Sequence, residues 1–123
     1  MEKVDRLVRV NELIKRELAG CLESGRLLMP EGILVSLTEV KCSVDLRSAE
    51  VFFSVFGGGS EAPMKALRAL SRQRIELQDV IGRNLKFKHT PKLKFTIDDR
   101  MAEADRVLRL LDGTDNDSDK QQN

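Results

Sequence analysis

Lysines and apolar residues alternate between residues 84 and 97, where the chain reads NLKFKHTPKLKFTI. The odd positions carry the apolar Leu85, Phe87, Leu93, Phe95 and Ile97, and the even positions carry Lys86, Lys88, Lys92 and Lys94. Alternate side chains of an extended chain point to opposite faces, so one edge can pack into a core while the other holds four ammonium groups. Ammonium groups in a row can neutralise phosphates, so the segment predicts contact with a polyanion.

Positive charge is concentrated around this segment, although the net charge of the chain is only +1. Residues 65–94 carry nine basic side chains against two acidic ones, and the last twelve residues hold four aspartates against one lysine. Nucleic acid is the first candidate for the polyanion. The predicted RNA contacts are Arg72, Arg74, Arg83, Lys86, Lys88, Lys92 and Lys94.

The same charges also fit an ordinary solvated helix face. Glu76 and Asp79 lie on the same side of the long predicted helix as its basic residues. The pairs Arg72–Glu76 and Asp79–Arg83 have the i,i+4 spacing of surface ion pairs. A protein-interaction module that docks an acidic partner through its basic patch therefore stays open as an alternative to RNA binding.

A glycine-rich stretch at residues 57–62, GGGSEA, satisfies the GxGxxA pattern that binds dinucleotide phosphates. That chemistry needs a second βαβ half and an acidic residue after the next strand to hold the ribose. A chain of 123 residues is too short to hold another βαβ half, and it has no convincing acidic residue after the next strand. We therefore predict a turn that enters a helix, with Ser60 as the N-cap and Pro63 in the first helical turn.

No set of side chains has the spacing of a catalytic or metal site. Asp98 and Asp99 are explained by the start of a helix, and His89 has no Ser, Cys or carboxylate partner nearby in sequence. Cys21 and Cys42 lack CxxC spacing and are predicted to be reduced thiols packed on a helix and a strand. We therefore expect no catalytic residue, metal or cofactor.

The length of 123 residues indicates one domain, and 41% hydrophobic with 33% charged residues is typical of a globular protein. No apolar run of about 18 residues is present, so no membrane span is predicted. The first ten residues, MEKVDRLVRV, lack the apolar core of a signal peptide. We expect a cytoplasmic protein that is a monomer.

Periodicity predicts the element order α-β-β-α(kinked)-β-α. The predicted elements are a helix at 4–23, strands at 33–41 and 49–56 in an antiparallel hairpin, a helix of about 22 residues, a strand at 91–98 and a helix at 99–111. A right-handed crossover returns the long helix to the sheet. The expected fold is α+β, a three-stranded sheet with helices on one face.

The predicted core follows from these stripes. Its members are Leu7, Ile14, Leu18, Val35, Val51, Phe53, Val55, Leu70, Leu77, Val80, Leu93 and Phe95. Phe52 and Phe56 lie on the opposite face of the second strand. We expect Phe52 to cover the outer sheet and Phe56 to pack at the strand end, rather than to stack on a base.

The apolar stripe of the long helix has a defect. Gln73 and Arg74 interrupt the stripe, while Ile75 projects almost opposite it. A straight helix would therefore bury an arginine and expose an isoleucine. A kink within residues 71–75 is predicted to remove both problems.

Three stretches resemble the ribosome-binding factor A family. They are RVNELIKREL at 9–18, VSLTEVKCSVDLRSAEVFFSVFG at 35–57 and LKFKHTPKLKFTIDD at 85–99. The most specific pieces are the turn of Ser43, Asp45 and Leu46 and the basic–apolar alternation around Pro91. The resemblance covers nearly all of residues 4–111.

This resemblance implies a KH-like domain of type II, which we expect in residues 1–112, and the acidic composition of residues 113–123, with few apolar residues, predicts a disordered tail. The resemblance also implies a non-catalytic bacterial factor that binds the small ribosomal subunit and its ribosomal RNA during late maturation. The chain departs from the family at Val44, where proline is usual. It also carries Gln73-Arg74-Ile75 where the family has Ala-x-Gly at the helix kink, and the missing glycine puts close backbone approach to RNA there in question.

Overall fold

The computed structural model describes residues 2–100, with side chains from residue 5 onward. Its elements are α1 (Glu2–Glu23), β1 (Leu34–Cys42), β2 (Ser48–Phe56), α2 (Ala62–Arg72), α3 (Arg74–Leu85) and β3 (Lys92–Ile97). The elements predicted within residues 2–98 are confirmed in type and order. The predicted helix at 99–111 and the predicted tail at 113–123 lie beyond the described residues, except that Arg100 is helical.

The three strands form one mixed sheet in the order β1-β2-β3. β1 and β2 pair antiparallel, which confirms the predicted hairpin, and β2 and β3 pair parallel because α2 and α3 cross between them. All three helices pack against the sheet or against one another, with α1 on β1 and α2 on β2 and β3. The helices cover the face that carries Val51, Phe53 and Phe95, and the outer face carries Glu39, Phe52 and Thr96.

The core follows the predicted stripes closely. Nine of the twelve predicted residues are buried, while Leu7, Val35 and Val55 are only partly buried. Val35 and Val55 are cross-strand partners next to the exposed pair Leu34 and Phe56, where the hairpin reaches the end of the sheet. Burial therefore decreases toward that end of the sheet, although the alternation itself continues.

The long helix breaks at Gln73, inside the predicted interval, so the predicted kink is confirmed. The prediction that the kink would hide Ile75 and free Arg74 is wrong. Ile75 remains 65% exposed and Arg74 remains half-buried. The physical reason is that Leu77, Val80 and Ile81 fix which face of α3 packs into the core. The first turn of α3 keeps the same orientation, so Arg74 stays partly buried and Ile75 stays exposed.

The side chain of Gln73 holds the break in place. Its Oε1 accepts the backbone N–H of Leu28 at 2.9 Å, and its Nε2 donates to the carbonyl oxygens of Leu28 at 2.7 Å and Ala69 at 3.0 Å. The backbone of Gln73 has φ −97° and ψ 7°, which any residue can adopt. The break therefore needs no glycine in this chain, because a side-chain amide connects it to the loop that follows α1.

The entry to α2 differs from the prediction. Pro63 lies in the first turn as predicted, but Ser60 is not the N-cap. The N–H of Ala62 donates to the carbonyl of Gly59 at 3.1 Å, which closes a backbone turn around Ser60 and leaves Glu61 at the cap with no side-chain hydrogen bond. A backbone turn thus takes the place of the predicted serine cap.

A charged network joins the middle of β1 to the residues that follow β3. Asp98 is buried and accepts hydrogen bonds from the Thr38 hydroxyl and from the backbone N–H and guanidinium of Arg100. Arg100 also binds Glu39 at 2.8 Å, and its guanidinium lies 5.5 Å from the ring centre of Phe52. Phe52 covers the outer face as predicted.

The expectation that Phe56 packs at the strand end is wrong. Its side chain is 57% exposed, since β2 ends there and the next residues turn away through Gly57. Its cross-strand partner Leu34 is also exposed and covers little of the ring.

We expect Asp98→Asn to reduce both the stability and its dependence on pH. The hydrogen bonds from Arg100 and Thr38 hold the pKa of Asp98 well below its usual range. The carboxylate therefore stabilises the fold above about pH 4, and this contribution is lost as the pH falls through the folded pKa. The free energy of unfolding at about pH 7 should fall by about 1–3 kcal/mol.

Urea unfolding of wild type and Asp98→Asn at several pH values measures this effect. The difference in unfolding free energy should begin to narrow as the pH falls from about 7 to about 3, because Asp98 of the unfolded wild-type chain then takes up a proton while the folded carboxylate stays ionised. A difference that stays constant with pH would contradict the assignment.

Candidate nucleic-acid interface

The alternation around Pro91 is present in three dimensions as predicted. Leu93 and Phe95 are buried under the helices, and Lys92 and Lys94 are exposed. Among residues 2–100, β3 is an edge strand that pairs with β2 alone, and its alternate residues point to opposite faces. The lysines are therefore excluded from the core by the same pairing that buries their neighbours.

A groove of about 520 Å³ runs along the free edge of β3, between this strand and the helix break. We call it the β3 groove. Its floor contains Leu67, Leu93 and Phe95, and its basic side chains are Arg74, Lys92 and Lys94. Three predicted RNA contacts from two distant segments thus lie at one site, around an apolar floor.

Two hydrogen-bond donors at this groove have contrasting surroundings. The backbone N–H of Leu93, on the free edge of the strand, donates to Oε1 of Gln78 at 2.9 Å. Nε of Arg74, by contrast, is buried without a hydrogen-bond partner among residues 5–100. A buried donor with no partner is costly, and an acceptor in the groove would reach Nε only if the Arg74 side chain moved.

The structure does not bring the other predicted contacts to this groove. Arg83 lines a separate cavity beside Arg26 and Glu76, and its Nη2 lies 3.5 Å from Oδ2 of Asp79. This confirms the surface pair that the i,i+4 spacing indicated. The pair Arg72–Glu76 does not form, because the break at Gln73 interrupts the helical spacing.

Two of the remaining lysines flank the end of α3. Lys86 is exposed and ends the helix in a left-handed conformation, with φ 56°. Lys88 lines a second groove together with Arg6 and Arg47. Sequence reasoning missed both arginines, although Arg47 follows the Ser43–Asp45 turn directly and could have been found from that position.

Both cysteines carry free thiols that are unreactive at neutral pH. Cys21 is buried in α1 and Cys42 is partly buried in β1, as predicted. Burial raises the pKa of Cys21, and burial raises the pKa of Cys42 to about 11, so both carry protons at neutral pH. Within residues 2–100 no three His, Cys, Asp or Glu side chains are grouped as a metal ion would require.

The described helices are also too short or too polar to cross a bilayer.

The order α-β-β-α-α-β, with helices on one face of a mixed three-stranded sheet, defines a KH-like domain of type II. KH domains clamp nucleic-acid backbones near a helix-to-helix junction. The break at Gln73 and the adjoining β3 groove occupy that place here.

Comparison with known proteins identifies the family within this class. The family model for ribosome-binding factor A matches residues 6–111. Ribosome-binding factor A from Opitutus terrae is 36% identical over 111 residues, which cover 90% of this chain and 88% of that protein. The chain belongs to the ribosome-binding factor A family.

Solved structures agree in fold. The crystal structure of ribosome-binding factor A from Thermus thermophilus matches with a TM-score of 0.58 and 26% identity, covering 74% of this chain and 94% of that chain. A homology model of Thermus thermophilus ribosome-binding factor A, fitted into a cryo-EM map of its 30S complex, matches with a TM-score of 0.54 and 24% identity. The match covers 70% of this chain and 92% of that chain.

Proposed function

We propose that this chain is a ribosome assembly factor that binds the small ribosomal subunit and its ribosomal RNA during late maturation, without catalysing a reaction. Membership of the ribosome-binding factor A family supports this function. The observation that carries the mode of binding is the β3 groove, where Arg74, Lys92 and Lys94 surround an apolar floor. The protein is proposed to act as a monomer in the cytoplasm.

The groove supports an RNA ligand through two kinds of contact. Lysine and arginine side chains neutralise phosphates, and Arg74, Lys92 and Lys94 line the groove together. The apolar floor, where Leu67 is partly exposed and Leu93 and Phe95 are buried, can take the face of an unpaired base. An acidic protein could satisfy the same cations, and the ribonuclease test below separates the two partners. Arg72, Arg83, Lys86 and Lys88 are proposed as further phosphate contacts outside the groove.

Lys92→Gln combined with Lys94→Gln tests this function. Each phosphate that the variant no longer neutralises should lower the slope of log K against log salt by about 0.7–0.9, so the double variant should have a slope lower by about 1–2. Both side chains are exposed, so the fold should be unaffected. The measurement is a salt titration of binding to purified small ribosomal subunits, with circular dichroism as the folding check.

A matched control removes the same charge from elsewhere on the surface. Lys65 and Arg68 are exposed on α2 and do not line the β3 groove. The double variant Lys65→Gln and Arg68→Gln should therefore keep most of the wild-type slope. Equal slopes for the two double variants would contradict binding through the groove. Binding that survives ribonuclease treatment of the subunits would favour the protein-interaction alternative.

A further inference from the structure

A second groove, of about 710 Å³, opens where α1, the β1–β2 turn and the loop between α3 and β3 meet. Its lining includes an apolar set and a basic set: Val10, Leu46 and Phe87, and Arg6, Arg47 and Lys88. These residues come from three segments that are distant in sequence. We call this site the turn groove.

The charge of the turn groove is not neutralised from within. Asp45 is its one lining carboxylate, and Oδ1 of Asp45 already accepts the Ser43 hydroxyl at 2.7 Å and the backbone N–H of Arg47 at 3.1 Å. The Arg47 guanidinium approaches Oδ2 of Asp45 only to 3.8 Å, with 88% of the Arg47 side chain exposed. Among residues 5–100, whose side chains the structure describes, neither Arg6 nor Lys88 forms an ion pair, so this part of the chain leaves the groove cationic.

The β1–β2 turn that forms one wall is rigidly held. Leu46 has a left-handed backbone, with φ 60°, which an L side chain rarely adopts. The hydroxyl of Ser43 accepts the N–H groups of Arg47 at 3.2 Å and Ser48 at 3.1 Å, and the N–H of Leu46 donates to the Ser43 carbonyl at 2.9 Å. Backbone strain that the surroundings maintain is concentrated at ligand clamps, so the turn is organised before a ligand arrives.

The turn groove adjoins the β3 groove at one point in the chain. Arg47 lines the turn groove, and the next residue, Ser48, lines the β3 groove. The backbone N–H of Lys92 donates to the Arg47 carbonyl at 2.9 Å, which connects the two walls directly. Basic side chains therefore continue from one groove into the other across this junction.

We infer that a single-stranded RNA held in the β3 groove continues past Arg47 into the turn groove, where Leu46 and Phe87 seat an unpaired base. The inference rests on the proposed function and extends its contact surface. Arg6, Arg47 and Lys88 contact phosphates of the same strand. The ligand is single-stranded because a paired base does not expose its face to such a floor.

The test measures the salt dependence of binding of the full chain to fluorescent oligouridylates long enough to fill both grooves. Arg6→Gln combined with Arg47→Gln should lower the slope of log K against log salt by about 1–2. Adding Lys92→Gln and Lys94→Gln should lower it by a further similar amount, because the two pairs contact different phosphates. The matched control is Lys65→Gln with Arg68→Gln, which should retain the wild-type slope, and circular dichroism checks folding.

A second measurement uses the wild-type chain and does not depend on any variant folding. Photocrosslinking of a thiouridine-containing oligonucleotide should attach RNA to the peptide that contains Phe87. The inference is overturned if this peptide is not labelled, or if the Arg6 and Arg47 variant folds and keeps the slope of the control. Failure of the proposed function is a different result, in which the wild-type chain does not bind small ribosomal subunits at all.

Discussion

Replacing Phe53 with alanine is expected to lower the free energy of unfolding by about 3–5 kcal/mol. Phe53 is completely buried at the centre of β2, with Leu37 and Ile97 as its cross-strand partners. Truncation removes apolar contacts and leaves a cavity that the sheet and helices cannot close, because both faces of the site are held by regular structure. Urea or thermal unfolding followed by circular dichroism measures the loss.

Phe56→Ala provides the matched comparison, since it makes the same change three residues further along the same strand. Its side chain is 57% exposed, so the loss should stay below about 1 kcal/mol. A loss below about 1 kcal/mol for Phe53→Ala would mean that the inward face of β2 is not the core. Similar losses for the two variants would show that burial does not determine the cost.

Gly57→Ala is expected to destabilise the fold by about 2–4 kcal/mol. Gly57 has φ +78°, and a Cβ added there would lie 2.7 Å from the carbonyl oxygen of Gly32. A left-handed backbone strains any L residue, and here the clash is with backbone, which can move only if the α1–β1 loop shifts. Unfolding free energy from urea titration is the measurement.

Gly59 separates the two contributions to that cost. It has φ +82°, almost the same conformation, but a Cβ there would meet no atom within 4 Å. Gly59→Ala should therefore cost only about 1 kcal/mol, the conformational part alone. Equal costs at the two positions would refute a role for the close approach to Gly32.

These glycines also show what the GxGxxA match signifies in this chain. Gly57 lies against Gly32, and a Cβ at Gly58 would lie 2.6 Å from Cγ1 of Ile33 and 2.9 Å from Cβ of Ala62. The small residues allow the turn to pack tightly on the loop before β1. Their role is therefore explained by packing, without a bound dinucleotide.

Local patterns were sufficient to predict the elements within residues 2–98 and the face on which most of their residues lie. Alternation with period two separates Lys92 and Lys94 from Leu93 and Phe95 in any strand, whatever that strand pairs with. The interrupted helical stripe likewise located the break within a few residues. Such patterns depend on a few consecutive side chains and on fixed backbone periods, so they can be derived without knowledge of the packing.

The grouping of the basic residues was decided only by the tertiary structure. Arg74 joins Lys92 and Lys94 because the broken helix crosses back to the free edge of β3, whereas Arg83, nine residues after Arg74, faces a different cavity. Arg47 joins Lys88 only where the β1–β2 turn meets the loop after α3. The predicted seven-residue patch is therefore divided between several surfaces.

The contacts that hold these surfaces join residues far apart in the chain. Gln73 binds Leu28 across 45 positions, and Thr38 binds Asp98 across 60. No local period encodes such pairs, because their geometry depends on the path of the whole backbone and on which helix face the core accepts. The sequence alone thus determined which side chains are available to a ligand, and the tertiary structure determined which of them act together.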